Sequence, residues 1–355
     1  MAEIDQFLRA MVEHGASDVH LVVGQPPKYV LHGHVTPIKG YEDHTLGSDE
    51  LRKILFAILS DEQASTYESH WDIDFAYEIE DCARFRCNYY FQRTGYGAVM
   101  RVIPSNILTL DQLDMPPVLR SLAELRAGLV LATGPTGSGK TTTLAAMIDH
   151  INTDSSRRII TIEDPVEFVH PNKKSIISHR EVGTHTSSFK AGLRAVTRQD
   201  ADVVLVGELR DLETMALALS AAAMGTLVFG TLHTNSAAKT IDRIIDIFPV
   251  SQQAQVRTVL AESLAGIVAQ QLLRKKGGKG RVAATEILTG NHAVASIIRE
   301  GKIERITSVI QAGKREGMQL LDDALEKMAS TGVIEGSDAY MKANEKRRFE
   351  QYMNQ

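Results

Sequence analysis

The pattern of apolar and polar positions changes character near residue 118. Before it, residues 1–15 have the apolar spacing of a short amphipathic helix, and short runs rich in β-branched and aromatic residues follow, with a second helix near Ser48–Leu59. After it, apolar runs typical of buried strands alternate with turns or helical runs. Alternation of that kind predicts a mainly parallel sheet with helices on both faces and ligands at the carboxyl ends of its strands. The predicted strands are Val19–Val23, Lys28–His32, Asp74–Glu78, Arg84–Gln92, Gly97–Ile103, Leu129–Ala132, Arg158–Ile162, Val203–Val206 and Leu227–Thr231.

Prolines divide the two regions of the chain. Pro104 and the pair Pro116-Pro117 interrupt the pattern between them. We therefore predict a small α+β domain over residues 1–105, a linker over 106–117 and a larger α/β domain over 118–355. From about Ala237 the larger domain is predicted to consist of helices, interrupted by a hairpin at Leu273–Arg281.

Length and composition restrict the class of protein. The chain has 355 residues, enough for two domains that each bury a core. Its formal net charge of −5 argues weakly against nucleic acid or anionic lipid as a partner. The two cysteines, Cys82 and Cys87, would face opposite sides of a strand, so we expect no disulfide framework and a reducing cytoplasm. A signal peptide and a long apolar stretch are both lacking, which predicts no membrane span.

The stretch Gly134–Thr141 fits the phosphate-loop pattern G-x-x-x-x-G-K-[ST]. It lies between the apolar run Gly128–Ala132 and the helix-compatible run Thr142–Ile148, which is the strand, loop and helix order that this motif requires. A glycine-rich turn without a nucleotide is the alternative. The candidate nucleotide-binding residues are Gly134, Pro135, Thr136, Gly137, Ser138, Gly139, Lys140, Thr141 and Thr142.

Each residue type in this loop has a physical reason to be there. Glycines allow successive backbone N–H groups to point at phosphate oxygens, and the start of the helix adds the positive end of its dipole. Lys140 can reach the β- and γ-phosphates, and the Thr141 hydroxyl can ligate Mg²⁺. The loop therefore predicts nucleotide hydrolysis with Mg²⁺.

Three polar residues follow other predicted strands. Glu163 ends the apolar run Ile159–Ile162, where a carboxylate can deprotonate the attacking water, although an ordinary strand exit has the same pattern. Glu208 ends a second run and is our candidate for holding Mg²⁺, the alternative being a solvated glutamate. His233 follows a third run and could contact the γ-phosphate, but a structural hydrogen-bonding role is the commoner one for a single histidine.

Together these motifs resemble the PilT family, the retraction ATPases of bacterial type IV pili within the secretion-ATPase superfamily. The resemblance extends over nearly the whole chain. The matching segments are Ala16–His20, the Walker A motif Gly134–Thr141, the acidic box Ile160–Phe168, the Walker B region Leu205–Thr214, the histidine box Gly230–Asn235 and Gly317–Ala324.

The resemblance implies a PAS-like N-terminal domain, a RecA-like ATPase domain that binds ATP and Mg²⁺, and a ring of six subunits. It implies roles for Lys140, Thr141, Glu163, Glu208 and His233 that agree with those given above. It also implies that two strand arginines, Arg86 and Arg101, lie near the phosphates, where a guanidinium stabilises charge on the γ-phosphate. The alternative is that these arginines face solvent.

Further implications concern partners and location. The family implies an inner-membrane platform protein as partner, a second retraction ATPase as a further one, and a peripheral position at the cytoplasmic face of the inner membrane. We expect no stable binding of nucleic acid.

Two segments depart from the family pattern. The histidine box usually opens with Thr-Gly-His, but here Thr226 replaces that histidine. In the segment Ala293–Glu300, Ala295 and Ser296 replace an arginine and an asparagine, whereas Arg299 and Glu300 are retained. These departures leave open a regulatory or accessory ring subunit with weak turnover.

Two other functions are less favoured. Assembly and type II secretion ATPases generally have a further N-terminal domain and a four-cysteine metal insertion, whereas this chain has two cysteines. A nucleic-acid translocase would explain the basic hairpin Arg274–Arg281, but no aromatic residues accompany its charges, so a solvated hairpin tip is the simpler interpretation.

Overall fold

A computed structural model of the chain describes residues 2–31, 34–103, 106–278 and 280–353. It separates into two compact units: Met1–Asn106 with Pro165–Val169, and Ile107–Asp164 with His170–Gln355. The sequence predictions that involve His32, Pro104 and Lys279 lie outside the described residues. The predicted α/β class is confirmed, since one unit has an antiparallel sheet and the other a mainly parallel one.

The first unit is built on an antiparallel sheet. Its strands lie in the order β3-β2-β1-β6-β5-β4. The apolar face predicted for residues 1–15 is buried as helix α1. In chain order the elements are α1 Ile4–Glu13, β1 Asp18–Val22, β2 Lys28–Leu31, β3 His34–Pro37, α2 Ser48–Phe56, α3 Asp61–His70, β4 Asp72–Ile79, β5 Ala83–Gln92 and β6 Gly95–Ile103.

Helix α3 was missed by the sequence pattern because it has little apolar periodicity. Tyr67 is its one buried residue. The helix is set locally instead: the Ser60 hydroxyl accepts from the backbone N–H of Gln63, and the Gln63 side chain accepts from the backbone N–H of Ser60. A capping box of this kind does not change the spacing of apolar residues, so the hydrophobic pattern does not reveal the helix.

The second unit is built on a sheet with the strand order β13-β12-β7-β11-β10-β8-β9. All neighbouring pairs are parallel except β12 with β13. Its strands are β7 Gly128–Thr133, β8 Arg158–Glu163, β9 Ile176–Glu181, β10 Val203–Val206, β11 Leu227–Leu232, β12 Leu264–Arg274 and β13 Arg281–Thr289.

Helices connect these strands and form the C-terminal part of the second unit. They are α4 Val118–Ala123, α5 Lys140–Asp154, α6 Phe189–Val196, α7 Leu212–Ala223, α8 Ala237–Asp246, α9 Val250–Ser263, α10 His292–Glu300, α11 Ile306–Ala312, α12 Leu321–Ser330 and α13 Gly336–Lys342. Short 3₁₀ segments lie at Ile303–Arg305, Gly313–Glu316 and Lys346–Tyr352.

The prediction of helices throughout the region after Ala237 was wrong for two segments. The hairpin connects long strands, β12 and β13, and β12 pairs with β7 at the edge of the parallel strands. β12 is apolar over most of its length, and a run of that kind does not distinguish a buried strand from a buried helix. The edge strand β9 was also missed, because its mixed polar sequence shows no regular alternation.

The chain leaves the second unit directly after Asp164 and returns at His170. At the return point His170 is buried, and its ring stacks on that of His179 at a centroid distance of 5.8 Å. The backbone N–H of His170 donates to Nε2 of His179 at 3.0 Å. The two histidines therefore fix the chain against the edge strand β9.

Acidification should destabilise the second unit through His170. Burial lowers the pKa of His170 to about 4; His179 and Lys173 act in the same direction and Asp149 opposes them. In the unfolded chain this histidine binds a proton near its ordinary pKa of 6.5, whereas in the folded chain it stays neutral. Its contribution to the free energy of unfolding is therefore complete above pH 6.5 and falls as the pH drops towards 4. We expect a loss of about 2 kcal/mol between about pH 7 and about pH 5, measured by urea unfolding.

The variant His170→Asn should lack this part of the loss, since it removes the group that titrates. The variant His292→Gln, which changes an exposed histidine of the same unit, should behave as the parent does. An equal acid-induced loss in the parent and in His170→Asn would show that His170 is not its source.

Candidate active site

The candidate residues of the second unit share one edge of its sheet. Strands β7, β11, β10 and β8 are neighbours and run parallel, so their carboxyl ends point the same way. The phosphate loop follows β7, Glu163 ends β8, Glu208 lies two residues after β10, and His233 follows β11 directly. The topology therefore collects four motifs that are far apart in sequence.

The phosphate loop has the backbone that its glycines allow. Gly134, Gly137 and Gly139 have φ angles of 143°, 77° and 88°, in the region that favours glycine. Helix α5 begins at Lys140, and its N-cap Gly139 provides no side-chain cap. The first N–H groups of the helix are thus left to face an anion.

Lys140 is held over the loop that precedes it. Its Nζ donates to the carbonyl oxygens of Gly134 at 2.8 Å and Pro135 at 3.1 Å. The side chain is buried, and Thr141 and Thr142 beside it are half-buried. A positive charge and two hydroxyl groups therefore lie at the loop and the adjoining helix start.

Glu163 is buried at the end of β8, with 5% of its surface exposed. The neighbouring strand end packs closely against it: a Cβ added to Gly207 would lie 3.4 Å from Cα of Glu163. The N–H of Gly207 donates to the carbonyl oxygen of Ile162 at 2.8 Å. Backbone packing thus places the strand end that carries Glu208 beside the one that carries Glu163.

Glu208 and His233 are brought into direct contact. Oε1 of Glu208 lies 3.0 Å from Nε2 of His233, and its Oε2 lies 2.7 Å from the guanidinium of Arg210. Burial raises the pKa of Glu208, but the contacts with Arg210 and His233 outweigh burial and hold the pKa below its usual value. Glu208 is therefore a carboxylate at neutral pH.

Arg210 is a residue of this cluster that the sequence analysis did not assign. Its charge partner is Glu208, and the contact raises the pKa of the guanidinium above its usual value. The sequence contained a signal, because Glu208 and Arg210 lie two positions apart in one short loop between β10 and α7.

The two candidate arginines lie in the first unit, on strands β5 and β6. They are direct cross-strand partners, which places two like charges side by side. Each has a carboxylate partner: Arg86 lies 2.5 Å from Asp74, and Arg101 lies 2.7 Å from Asp18. Arg86 also lies 3.8 Å from Glu167, which belongs to the acidic box. These carboxylates offset the mutual repulsion of the arginines.

The basic hairpin between β12 and β13 is engaged in ion pairs. Lys275 lies 3.5 Å from Asp114, and Lys276 lies 3.6 Å from Glu335. Partners of this kind reduce the charge available to a phosphate backbone. The pairing favours the interpretation of the hairpin as a solvated tip.

A phosphate loop after the first strand of a parallel sheet, with carboxylates on two further strand ends, defines a P-loop ATPase. The family model described as "Type II/IV secretion system protein" matches residues 2–335, and the chain belongs to this family.

The chain is similar over nearly its full length to proteins of known name. It is 46% identical over 341 residues to the type IV pilus retractation ATPase PilT of Pseudomonas aeruginosa, covering 96% of this chain and 98% of that protein. It is 48% identical over 289 residues to a twitching motility protein of Neisseria gonorrhoeae, covering 81% of this chain and 77% of that protein. A crystal structure of the pilus retraction motor PilT with bound ADP aligns with a TM-score of 0.90 and 42% identity, covering 99% of both chains.

Within the described ranges, no helix is both long enough and apolar enough to span a bilayer.

The variant Gly134→Ala should disrupt the phosphate loop. A Cβ at this position would lie 2.3 Å from the carbonyl oxygen of Gln270, and the φ of 143° is unfavourable for alanine. We expect ADP affinity to fall by more than about ten-fold, measured by calorimetric titration.

The matched control is Gly183→Ala, at another glycine with positive φ, where no atom of the described residues lies within 4 Å of the added Cβ. It should bind ADP as the parent does. Parent-like ADP affinity in Gly134→Ala would contradict the close packing described here.

Proposed function

We propose that this chain is a hexameric, Mg²⁺-dependent ATPase motor that powers the retraction of type IV pili by coupling ATP hydrolysis to domain rotation and pilin disassembly. The observation that carries the proposal is the shared sheet edge, where the phosphate loop, two carboxylates and a histidine meet. The near full-length similarity to a pilus retraction ATPase supports the choice of pilus retraction as the work performed.

In the proposed reaction a water molecule attacks the γ-phosphate in line with the leaving group. Lys140 and the N–H groups of the loop hold the phosphates, and Glu163 accepts the proton of the attacking water. The buried position of Glu163 at the strand end supports this role, because a carboxylate there is shielded from bulk water.

The donor set suits Mg²⁺. Mg²⁺ usually keeps several waters and takes one or two protein oxygens together with phosphate oxygens. Thr141 provides a hydroxyl at the start of α5, and Glu208 provides an ionised carboxylate. Bound Mg²⁺ would neutralise charge that develops on the phosphates.

His233 is proposed to report on the γ-phosphate. Its contact with Glu208 supports the role, since a change at the phosphate that moves the imidazole must also alter the hydrogen bond to this carboxylate. Arg210 on the other oxygen of Glu208 keeps that carboxylate charged during such a change.

Arg86 and Arg101 are proposed to stabilise the charge of the transition state within the assembled ring. The exposed guanidinium of Arg101, with 69% of its side chain accessible, supports the availability of this group. The planar fork of an arginine suits phosphate oxygens.

The proposed partners are five further copies of this chain, an inner-membrane platform protein and a second retraction ATPase. The proposed location is the cytoplasmic face of the inner membrane, with ATP as the nucleotide and no stable binding of nucleic acid. A regulatory ring subunit with weak turnover is the second candidate, favoured by Thr226 in the histidine box and by Ala295 and Ser296 in α10.

Glu163→Gln should abolish turnover while leaving nucleotide binding intact. The amide cannot accept the proton of the attacking water, so we expect Mg²⁺-dependent ATP hydrolysis to fall at least about a hundred-fold. Phosphate release measures the rate, ADP titration measures binding, and light scattering in the same nucleotide measures the number of subunits. The control Glu262→Gln changes an exposed glutamate and should retain turnover.

A second readout separates the two candidate functions. In the native bacterium, the chromosomal Glu163→Gln change should stop twitching and leave excess surface pili if the chain is the retraction motor. Good nucleotide binding with negligible turnover by the parent protein, and twitching that persists in the mutant strain, would favour the accessory subunit.

Arg101→Gln should lower kcat and leave ADP affinity unchanged, because the proposed contact forms with the transition state rather than the ground state. We expect a fall in kcat of about ten-fold to a hundred-fold. Arg93→Gln, on the exposed turn between β5 and β6, is the matched control. An unchanged kcat in a variant that still forms the ring would remove Arg101 from the mechanism.

A further inference from the structure

Gln270 on β12 contacts the phosphate loop from a strand that carries none of the family motifs. The residue is 1% exposed, and its Nε2 donates to the carbonyl oxygen of Ser138 at 2.6 Å. A backbone carbonyl can only accept, so the amide nitrogen must face the loop and Oε1 must face away from that carbonyl. The orientation of the side chain is thereby fixed by chemistry.

Both ends of the loop are fitted around this same residue. A Cβ added to Gly134, at the start of the loop, would lie 2.3 Å from the backbone oxygen of Gln270. A Cβ added to Gly139, at the end of the loop, would lie 3.1 Å from Nε2 of Gln270. The loop therefore closes directly over Gln270, and glycine is required where it does so.

Packing alone does not explain a glutamine at this position. Oε1 of Gln270 and Oγ of Ser138 are buried without a hydrogen-bond partner in the part of the chain that the structure describes. A buried polar atom left unpaired destabilises the folded state, and a leucine of similar size would avoid this cost. We therefore expect Gln270 to contribute less to the stability of the fold than an apolar residue would. What Gln270 adds is the hydrogen bond to the loop.

That hydrogen bond has a geometric consequence for phosphate binding. The carbonyl of Ser138 and the N–H of Gly139 belong to one trans peptide, in which the two groups point in opposite directions. Holding the carbonyl towards β12 directs the N–H of Gly139 away from it, immediately before Lys140 and the start of α5. Backbone N–H groups at this point of a phosphate loop are the ones available to phosphate oxygens.

We propose that Gln270 is a positioning residue that holds the phosphate loop in its nucleotide-binding conformation through the Ser138 carbonyl. The proposal depends on nucleotide binding by the P-loop and not on pilus retraction. A measurement of ADP affinity therefore tests the role of Gln270 whether or not the chain is a retraction motor.

The first test is Gln270→Leu, which removes the donor and keeps a buried side chain of similar size. We expect ADP binding to weaken about ten-fold in calorimetric titrations, the fold-change that corresponds to the loss of one hydrogen bond. In ATP turnover the KM should rise more than kcat falls, because a loop that holds ground state and transition state alike affects binding of both. The melting temperature is recorded for every variant.

Gln271→Leu is the matched control. It makes the same chemical change one position further along β12, where the side chain points to the opposite face of the sheet. It should leave ADP affinity at the value of the parent. Equal ADP affinity in Gln270→Leu, Gln271→Leu and the parent overturns the proposal.

The second test, Gln270→Glu, keeps the shape and makes the donor depend on protonation. A carboxylate facing the Ser138 carbonyl repels it, whereas the protonated acid donates as the amide does. The ADP affinity of this variant, relative to the parent at the same pH, should therefore recover as the pH falls from about 8 to about 6. Lys140 is the charged side chain bound to the same loop and is present in every variant.

A purely structural role for Gln270 would lower the melting temperature without producing this pH dependence. A ratio that stays constant with pH would falsify the positioning role even if Gln270→Leu fails to fold.

Discussion

Backbone hydrogen bonds between β7, β11, β10 and β8 hold the candidate catalytic groups of the second unit in fixed positions relative to one another. The strands pair in parallel, so one residue of each strand lies beside a defined residue of the next, as Val206 does with Ile162 and with Gly230. A side chain that follows a strand end is consequently placed by the pairing and not by its own loop. The buried apolar residues of these strands stabilise the register, since slipping one strand would move carboxylates into the core.

Electrostatic pairing then decides which of these polar groups are charged. Glu208 is surrounded by Arg210 and His233, and their combined effect on its pKa exceeds that of burial. In the first unit, Arg86 and Arg101 are adjacent like charges on one sheet face, tolerated because Asp74 and Asp18 lie against them. The neighbours of Glu208 thus keep it charged, whereas the carboxylates beside Arg86 and Arg101 offset the repulsion between two side chains that are always charged. A phosphate that approached either cluster would compete with an existing partner, so binding exchanges contacts more than it creates them.

The sequence was sufficient for the parts of the site that depend on local pattern. The phosphate loop, Glu163, Glu208 and His233 each follow an apolar run, and strand pairing brings the strand ends to one edge as expected. The roles of these residues and the domain boundaries remain predictions. The nature of β12 could not be read from the sequence, because its apolar run fits a buried helix as well as a strand and is decided by pairing with β7. For the same reason Gln270 could not be recognised: it lies 132 residues after its partner Ser138, and only the sheet brings them together.

Two sets of hydrogen bonds therefore hold the phosphate loop, one from Lys140 and one from Gln270, and they differ in how easily a bound phosphate could replace them. Lys140 donates to carbonyl oxygens at the start of its own loop, bonds that a phosphate can replace because its oxygens are better acceptors for an ammonium group. The bond from Gln270 to Ser138 comes from a buried strand that is paired with β7 on one side and with β13 on the other, so it does not depend on the bonds that Lys140 makes. A loop whose backbone is already fixed loses little conformational entropy when nucleotide binds. The entropy of ordering the loop is lost when the protein folds instead. This division explains why a buried amide, whose oxygen has no partner among the residues that the structure describes, is tolerated in the core beneath the loop.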